Sequence, residues 1–417
     1  MPDSVAYNTV TAMINPLNKH HYLVCVYCFV TAVSAILTGC AGETAMVDAL
    51  LREAKQQFAP DKRTRVFNVA GHLDGAKLVL SGEIHSVELR DQLMTFLKEK
   101  TQYDIVDSLV TLPHASLQGK VFGVASVSVA NIRTKPGHSE ELATQVLLGT
   151  PLRILKRERG WLYVQTPEEY LGWTDDKIEA FDPAGYQDWI DRPKVIITAS
   201  YSVSTSSKIS SDEVVSDIVA GDIFAVVEES DKHVKVAYPD GREAFIRSEE
   251  GMPFDEWLLH AKDTPSSIVQ TAKRFTGVPY LWGGTSVKGM DCSGYTKTIF
   301  FLNGVLLPRD ANQQELVGEP IEIDDDYSRL QVGDLVFFGA NATSDRPRRV
   351  THVGIYLSDK KFIHESGDVH INSFDPADPL YSEYRTRSLL SARRIIGAGK
   401  NVGIKRFAET PLYKREL

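Results

Sequence analysis

The residues best suited to covalent chemistry lie in one stretch, Val278 to Gln314, which contains Cys292. Cys292 follows a glycine-rich loop and begins a predicted helix, in which apolar residues recur at helical spacing from Tyr295 to Leu302 before Gly304. The positive end of a helix dipole favours a thiolate, and the unpaired backbone N–H groups there can bind an oxyanion. The pattern therefore predicts a reactive cysteine.

Two downstream histidines complete a possible catalytic set. His352 opens the apolar run T-H-V-G-I-Y-L, and His364 ends the run K-F-I-H twelve residues later. A lone cysteine is more often a small buried apolar residue, but Asp291 and Ser293 beside Cys292 are poor neighbours for a packed core position. The three residues supply a nucleophile, a base and a group to orient the base, which is what covalent catalysis requires.

Blocks of sequence around these residues resemble the NlpC family of papain-like cell-wall cysteine peptidases, which hydrolyse the peptide stems of peptidoglycan. The blocks are Y-x-W-G-G, D-C-S-G, P-R-D, T-H-V-G-I-Y and F-I-H, in family order over about Ser266 to Ile396. The resemblance implies an α+β papain-like domain in which Cys292 is the nucleophile and His352 the general base. It implies that His364 holds the imidazole of the base.

The same resemblance implies a set of substrate contacts. Tyr280 matches a tyrosine that lines the family's site near the oxyanion. Asp291, Ser293 and Asp310 match positions that contact the amino end of the substrate in the subgroup with bacterial SH3-like domains. That subgroup usually has serine after the P-R-D aspartate, where this chain has Ala311, so one hydroxyl contact is in question.

An internal repeat between residues 121 and 246 predicts two small all-β barrels. The segment that starts at Glu141 aligns without gaps with the segment that starts at Glu213, an offset of 72 residues. In the first copy, W-L-Y-V and Y-L-G-W resemble bacterial SH3-like domains. The resemblance implies that Glu141 and Tyr170 bind the free amine of the stem's L-alanine, and the second copy has Arg242 in place of Tyr170. Alternatively, Glu141 is a solvated surface acid and Tyr170 a core aromatic.

The N-terminal segment predicts export. A short basic region at Lys19 is followed by an apolar run that ends in L-T-G-C at Cys40. This ending resembles the bacterial lipoprotein box, which implies a lipid on Cys40 and a location on a membrane of the bacterial envelope, facing the periplasm or in an outer membrane. A single membrane-spanning helix is the alternative. Because Cys25 and Cys28 lie in the apolar run, Cys292 is the remaining cysteine of the predicted mature protein.

Length and composition bound the architecture. A chain of 417 residues with 43% hydrophobic and 24% charged residues is expected to form several soluble domains, and a net charge of −9 provides no basic surface for nucleic acid. The predicted chemistry needs no cofactor or metal. We predict a signal peptide over 1–40, a small α+β module over 41–118, SH3-like barrels over 119–185 and 186–255, and the NlpC-type catalytic domain over 264–400.

Local patterns predict the elements of these domains. Asp74-Gly75 between two alternating runs is a hairpin signal, with a helix before it and a helix and a final strand, Ile105 to Leu112, after it. Thr264-Pro265 caps a helix over Ser266 to Thr276. The predicted strands of the catalytic domain are Leu335 to Phe338, Val353 to Leu357, Lys361 to His364 and Arg393 to Ile396.

The favoured function is hydrolysis of the γ-D-glutamyl to diamino acid bond in a stem peptide with a free N-terminal L-alanine, through an acyl-enzyme. A Cys/His amidase or acyltransferase on a similar fold is one alternative. A non-enzymatic peptidoglycan-binding lipoprotein, in which the paired barrels bind the wall, is the other.

Overall fold

The computed structural model describes residues 44–208, 213–399 and 403–413. They form two compact units. The first unit contains the described residues up to Pro60 and Val66–Thr111. The second unit contains Asp61–Arg65 and the described residues from Leu112 onward. The predicted signal segment and Cys40 lie outside the described residues. None of the helices in these ranges is both long and apolar enough to cross a membrane.

The first unit is a three-stranded sheet with two helices. Its elements are α1 (residues 44–58), β1 (Phe67–Asp74), β2 (Lys77–Ile84), α2 (Val87–Lys100) and β3 (Asp104–Thr111). Strand β2 pairs antiparallel with β1 and parallel with β3. Gly75 takes a positive φ of 60° in the turn of the β1–β2 hairpin, as the Asp-Gly signal predicts. This is the predicted α+β module.

Two seven-stranded sheets follow in the second unit. The first contains β4 (Phe122–Ala125), β5 (Val129–Arg133), β6 (Leu142–Leu147), β7 (Pro151–Glu158), β8 (Trp161–Gln165), β9 (Leu171–Thr174) and β10 (Ile178–Phe181). Helix α3 (Pro183–Asp191) leads to the second, which contains β11 (Lys194–Ile197), β12 (Tyr201–Thr205), β13 (Val214–Val219), β14 (Ile223–Glu229), β15 (His233–Ala237), β16 (Glu243–Arg247) and β17 (Gly251–Pro253).

The two sheets have the same topology. The order is β10-β4-β7-β8-β9-β5-β6 in the first and, read from its opposite edge, β17-β11-β14-β15-β16-β12-β13 in the second. Strand starts such as Trp161 and His233 are 72 residues apart, which is the offset read from the sequence. Each sheet has its own core of alternate strand residues. The predicted pair of SH3-like barrels is confirmed.

The remaining elements form the α+β catalytic domain. They are α4 (Phe254–His260), α5 (Pro265–Arg274), β18 (Thr285–Ser286), β19 (Gly289–Met290), α6 (Cys292–Phe301), β20 (Val305–Leu306), α7 (Ala311–Gln314), β21 (Glu319–Ile321), β22 (Leu335–Ala340), β23 (Arg349–Tyr356), β24 (Lys361–Glu365), β25 (Val369–Ser373), α8 (Glu383–Ser388), β26 (Leu389–Arg394) and β27 (Lys405–Arg406). The main sheet has the order β21-β26-β22-β23-β24-β25.

Helix α6 is the centre of this domain. Its residues Tyr295, Ile299 and Phe300 are fully buried, in one core with Val353 and Ile363 of the main sheet. A helix that is buried on all sides, unlike an amphipathic surface helix, is held by packing on every face. Burial of each large apolar side chain contributes about 2 to 3 kcal/mol. Cys292 therefore begins a helix that is anchored in the core of the domain.

Local predictions for this domain hold with shifts at the element ends. Thr264 caps α5 by accepting a hydrogen bond from the Ser267 N–H at 3.2 Å, as predicted. The predicted strand over Arg393 to Ile396 is wrong in position, because β26 already ends at Arg394 and pairs with β22 from Leu389. A pleated strand in the middle of a sheet is positioned by its partners, which the local pattern does not contain.

Candidate active site

Asp291 positions Cys292 at the start of α6. As the N-cap, Asp291 accepts a hydrogen bond from the Gly294 N–H at 2.7 Å through one oxygen and from the Gly283 N–H at 2.9 Å through the other. Both bonds satisfy backbone donors of a tight turn and a helix end. Cys292 follows directly and is 7% exposed, with its side chain in the wall of the cleft described below.

A buried arginine holds this cap in place. The Arg309 guanidinium donates to both Asp291 oxygens, at 3.0 and 2.6 Å, and to Ser293 Oγ at 3.0 Å. Its Nε donates to Thr144 Oγ1 of β6 in the first barrel at 3.0 Å. Because Arg309 is 1% exposed, this two-point ion pair is shielded from water and strong. Asp291 and Ser293 lie in the cleft wall, and their hydrogen bonds with each other, with Arg309 and with the Gly294 N–H hold the N-terminus of α6. Their contact with substrate stays a prediction.

The base side of the site is a line of three side chains on three adjacent strands. His352 on β23 places its Nε2 at 2.7 Å from Nδ1 of His364 on β24, whose Nε2 is 2.9 Å from Oδ1 of Asn372 on β25. The backbone N–H of Val353, next to His352, points at the Cys292 sulfur. The sheet therefore brings the two predicted histidines together behind the cysteine.

The Asn372 amide determines the tautomer of both rings. Its Nδ2 donates to the Leu380 carbonyl at 3.3 Å, so its Oδ1 is the acceptor that faces His364. His364 then carries its proton on Nε2 and accepts on Nδ1 from the Nε2–H of His352. The remaining ring nitrogen of His352, Nδ1, is left with an unprotonated lone pair. A neutral His352 in this tautomer can accept a proton from a thiol.

Burial opposes charge on every member of this set. Burial, followed by the negative charge of Asp291, raises the pKa of the Cys292 thiol to about 12, and it outweighs the lowering effect of the Val353 N–H. Burial, followed by the positive charge of Arg385, lowers the pKa of His352 well below 6.5 and that of His364 to about 3. The expected preference for a thiolate is therefore wrong for the resting site, because lost hydration outweighs the helix N-terminus.

Cys292 opens onto a cleft of about 710 Å³. The other predicted contact residues that line it are Tyr280, Asp291, Ser293 and Asp310 of the catalytic domain and Glu141 and Tyr170 of the first barrel. Ala311 also lines the cleft, at the position of the missing serine. The structure thus brings residues of the first barrel and of the catalytic domain, such as Glu141 and Ala311, to one surface.

Tyr170 and Glu141 face this cleft with different degrees of burial. Tyr170 is 8% exposed and donates its hydroxyl hydrogen to Asp310 at 3.0 Å. Glu141 is exposed and accepts a hydrogen bond from the indole N–H of Trp282 at 2.8 Å. The exposure of Glu141 and the burial of Tyr170 are compatible with the alternative of a solvated acid and a core aromatic, while their position in the cleft is compatible with substrate contact, so both interpretations stay open. In the second barrel, Arg242 instead stacks on Tyr238 and donates to the Ser126 carbonyl at 2.6 Å.

The first barrel forms part of the cleft wall and packs directly on the catalytic domain. The backbone N–H and the hydroxyl of Thr285 bond to Gln145 of β6, both at 3.0 Å. Gly283 has φ of 81°, and a Cβ there would lie 2.3 Å from the Leu142 carbonyl oxygen. Glycine at position 283 is therefore required by both its backbone conformation and the close approach of the barrel.

Sequence reasoning missed several site residues. Asn372 and Arg385 lie in stretches with no pattern that separates them from surface residues, and Arg63 lies far upstream, outside the predicted catalytic domain. Trp282 stands in the Y-L-W-G-G block and could have been found there. Among the described ranges, no group of three or more histidine, cysteine, aspartate or glutamate residues is arranged to hold a metal ion.

Comparisons with known proteins agree with this geometry. Residues 277–394 match the NlpC/P60 family, and residues 132–177 match the bacterial dipeptidyl-peptidase Sh3 domain. Dipeptidyl-peptidase 6 of Lysinibacillus sphaericus is 31% identical over 264 residues, which cover 61% of this chain and 92% of that protein. The chain belongs to the NlpC/P60 family. It is therefore a member of a family of cysteine peptidases.

One further relative and one solved structure are also similar to this chain. The γ-D-glutamyl-L-lysine dipeptidyl-peptidase of Bacillus subtilis is 30% identical over 233 residues, 54% of this chain and 72% of that protein. A crystal structure of an NlpC/P60 family protein from Bacillus cereus superposes with a TM-score of 0.53 at 24% identity, over 66% of this chain and 99% of that chain. The structural likeness establishes the fold of the NlpC/P60 domain with its accompanying barrels.

Proposed function

We propose that the protein hydrolyses the bond between γ-D-glutamate and the diamino acid in peptidoglycan stem peptides that have a free N-terminal L-alanine. The observation that carries this proposal is the hydrogen-bonded line from Asn372 through His364 to His352 behind Cys292. Such a line supplies a nucleophile and a neutral base in the required tautomer. The names of the relatives from Bacillus and Lysinibacillus support the peptide class.

In this mechanism the Cys292 sulfur attacks the γ-carbonyl carbon while its proton passes to Nδ1 of His352. The negative charge that develops on the carbonyl oxygen is stabilised by backbone N–H groups near Cys292, with Tyr280 beside them. His352 then gives the proton to the leaving amine of the diamino acid, which breaks the amide bond. Water attacks the thioester, returns a proton through His352 to the sulfur, and releases the glutamyl carboxylate.

The part of the cleft wall that the first barrel forms supports the requirement for a free alanine amine. The barrel contributes Glu141 and Tyr170 to that wall, and Gly283 leaves no space between the barrel and the loop before Cys292. A stem peptide whose alanine nitrogen is still bonded to glycan has no room to continue past such a wall. We therefore propose that the protein acts on peptides already released from the glycan strand.

Defined peptides test this proposal. L-Ala-γ-D-Glu linked to L-lysine or to meso-diaminopimelate should be cleaved to L-Ala-γ-D-Glu and the free diamino acid or its peptide, as identified by mass spectrometry. Cys292→Ala should abolish turnover, because no other described group can form the acyl-enzyme. Transfer of the glutamyl group to an added amine in preference to water would favour the acyltransferase alternative. Binding of insoluble peptidoglycan with no cleavage of any peptide would favour the non-enzymatic alternative.

The role of the amine has its own test. N-acetylation of the alanine should lower kcat/KM of the wild type, and Glu141→Gln should lower it about tenfold for the free peptide, since the partly hydrated Glu141 contributes less than a fully buried ion pair. The matched control is Glu140→Gln, which removes the same charge from the neighbouring residue, whose partner is Lys135. Equal cleavage of free and acetylated peptides by the wild type would contradict the amine requirement.

We also propose that the protein is exported and lipid-anchored through Cys40, because L-T-G-C follows the apolar run. Detergent partitioning and mass spectrometry of the mature N-terminus test this. Cys40→Ser should leave the signal segment uncleaved and remove the lipid. A Cys40→Ser protein processed as efficiently as the wild type would contradict the proposal.

A further inference from the structure

A short segment upstream of the barrels reaches the candidate cleft. We call residues 61–65 the strap; they connect α1 to β1 in sequence but pack with the second unit. The Leu171 N–H donates to the Arg63 carbonyl at 2.7 Å, and Gln165 Nε2 donates to the Thr64 carbonyl at 3.0 Å. Gln313 Nε2 of α7 donates to Asp61 at 2.7 Å. The strap is therefore bonded to both the first barrel and the catalytic domain.

The strap places one guanidinium in the cleft wall. Arg63 Nη1 donates to Asp310 Oδ2 at 2.6 Å and to Asn312 Oδ1 at 3.0 Å, while its other edge bonds to Asp61 at 2.7 and 2.9 Å. The Arg63 side chain is 29% exposed, and Asp310 is 28% exposed. The same Asp310 oxygen accepts the Tyr170 hydroxyl. Arg63 thus occupies a position next to the acid and the tyrosine that were expected to bind the substrate amine.

The ion pairs in the cleft leave one carboxylate without a cation. Asp291 is paired with Arg309, and Asp310 is paired with Arg63. Glu141 accepts a hydrogen bond from a neutral indole, and no cation is paired with it among the residues that the structure describes. Arg63 is also paired with Asp61, and the other charged residues that line the cleft are Lys62, Arg349 and the paired Glu315 and Arg348. Next to Tyr170, Arg63 therefore places a cation beside Asp310, which a second ammonium group on the bound residue would have to approach.

We propose that Arg63 is a specificity-determining residue of this cleft, which selects peptides whose N-terminal residue carries one cationic group over those that carry two. This inference rests on the proposed function, since it concerns the N-terminal residue of the bound peptide, next to Tyr170 and Asp310. Arg63 acts through Asp310, so it is a positioning residue and touches no reacting atom. Without Arg63, Asp310 keeps only the longer ion pair with Arg309 at 3.9 Å and Asp61 loses its cation, so the preference should move towards dications.

Binding of two isosteric dipeptides measures this preference without turnover. One is L-norvalyl-γ-D-glutamate, and the other is L-2,4-diaminobutyryl-γ-D-glutamate, in which an ammonium replaces the terminal methyl group. Calorimetry on the full chain with Cys292→Ala should give a lower Kd for the norvalyl peptide. Adding Arg63→Met should move the ratio of the two Kd values about tenfold towards the diaminobutyryl peptide, whereas Arg63→Lys, which keeps the charge, should move it little.

Two further variants separate this effect from a general loss of structure or charge. Arg63→Met combined with Asp310→Asn removes both charges of the pair, so the ratio should return towards that of the parent protein. Arg65→Met removes the same charge from the same strap, at a residue that is paired with Glu169 at 3.6 Å and is 40% exposed, and it should leave the ratio unchanged.

The outcomes distinguish this inference from the proposed function. The role of Arg63 is contradicted if the ratio of the two Kd values changes no more with Arg63→Met than with Arg65→Met. Equal tightening of both peptides, or no binding of either, would also contradict it. Hydrolysis of L-Ala-γ-D-Glu-diamino acid peptides by the wild type is measured separately. Turnover without a change of ratio retains the proposed function and removes the role of Arg63. A changed ratio of Kd values without turnover retains the role of Arg63 and removes the proposed function.

Discussion

Glu365 offers a sharp test of the electrostatics around the candidate site. It follows His364 on β24, is fully buried, and neither of its carboxyl oxygens has a hydrogen-bond partner in the described structure. Burial, followed by the negative charges of Asp368 and Asp291, raises its pKa from 4.5 to about 8. Glu365 is therefore protonated in the folded protein at neutral pH and ionised in the unfolded chain.

The direction and size of its effect on stability follow from this difference. Because the pKa is higher in the folded state, the contribution to stability is fully present below pH 4.5 and is lost as pH rises through about 8. A rise from 4.5 to about 8 corresponds to a penalty of at most about 5 kcal/mol at pH 9. Glu365→Gln keeps the size and removes the titration, so the variant should escape this penalty.

Thermal unfolding from pH 5 to pH 9, followed by near-ultraviolet circular dichroism, measures the difference. The midpoint of Glu365→Gln minus that of the wild type should increase with pH, by on the order of 10 °C between pH 5 and pH 9. The control is Glu322→Gln, at a side chain that is 79% exposed, which should follow the wild type at every pH. Parallel profiles for Glu365→Gln and the wild type would refute the buried, protonated carboxyl.

Three further expectations concern the residues behind the cleft. The rate of alkylation of Cys292 by iodoacetamide should rise roughly tenfold per pH unit from pH 7 to pH 9, because the pKa of the thiol is raised to about 12. A rate that is constant above about pH 5 would instead indicate a resting ion pair of Cys292 and His352. The pKa of His364 is lowered to about 3, so its contribution to stability is full above pH 6.5 and is lost as pH falls towards 3. His364→Asn should therefore reduce the loss of unfolding free energy at acid pH by up to about 5 kcal/mol, and an unchanged dependence of unfolding on acid pH would contradict this. Asn372→Leu should lower kcat at least tenfold with little change in KM, because His364 loses its hydrogen-bond acceptor. Asn372→Asp, which still accepts a hydrogen bond, should retain most activity. Equal kcat values for the two variants would contradict the assigned tautomer.

Much of the fold could be predicted from the sequence because its signals are local. The offset of 72 residues reappears in the strand starts of both barrels, since a duplicated pattern of alternating residues folds twice in the same way. The Asp74-Gly75 turn and the Thr264 cap are formed by neighbours within four positions. Element ends were less predictable, as β26 illustrates, because its bounds depend on pairing with β22.

In the candidate site, too, some features could be predicted from the sequence and others could not. The residue types and spacing around Cys292, His352 and His364 were enough to predict which side chains could react, since a nucleophile and its base need particular chemical groups. The elements that carry them could also be predicted, because each lies at the start or end of a periodic run.

Only the tertiary structure determined how these groups are charged and oriented. The raised pKa of Cys292 follows from burial among residues of other elements, which outweighs the local helix field. The tautomer of His352 depends on Asn372, two strands away, and the charge of the cleft depends on Arg63, which is 247 positions from Asp310. Hydration and ion pairing depend on distances in space, and distances between residues far apart in the chain exist only once the chain has folded.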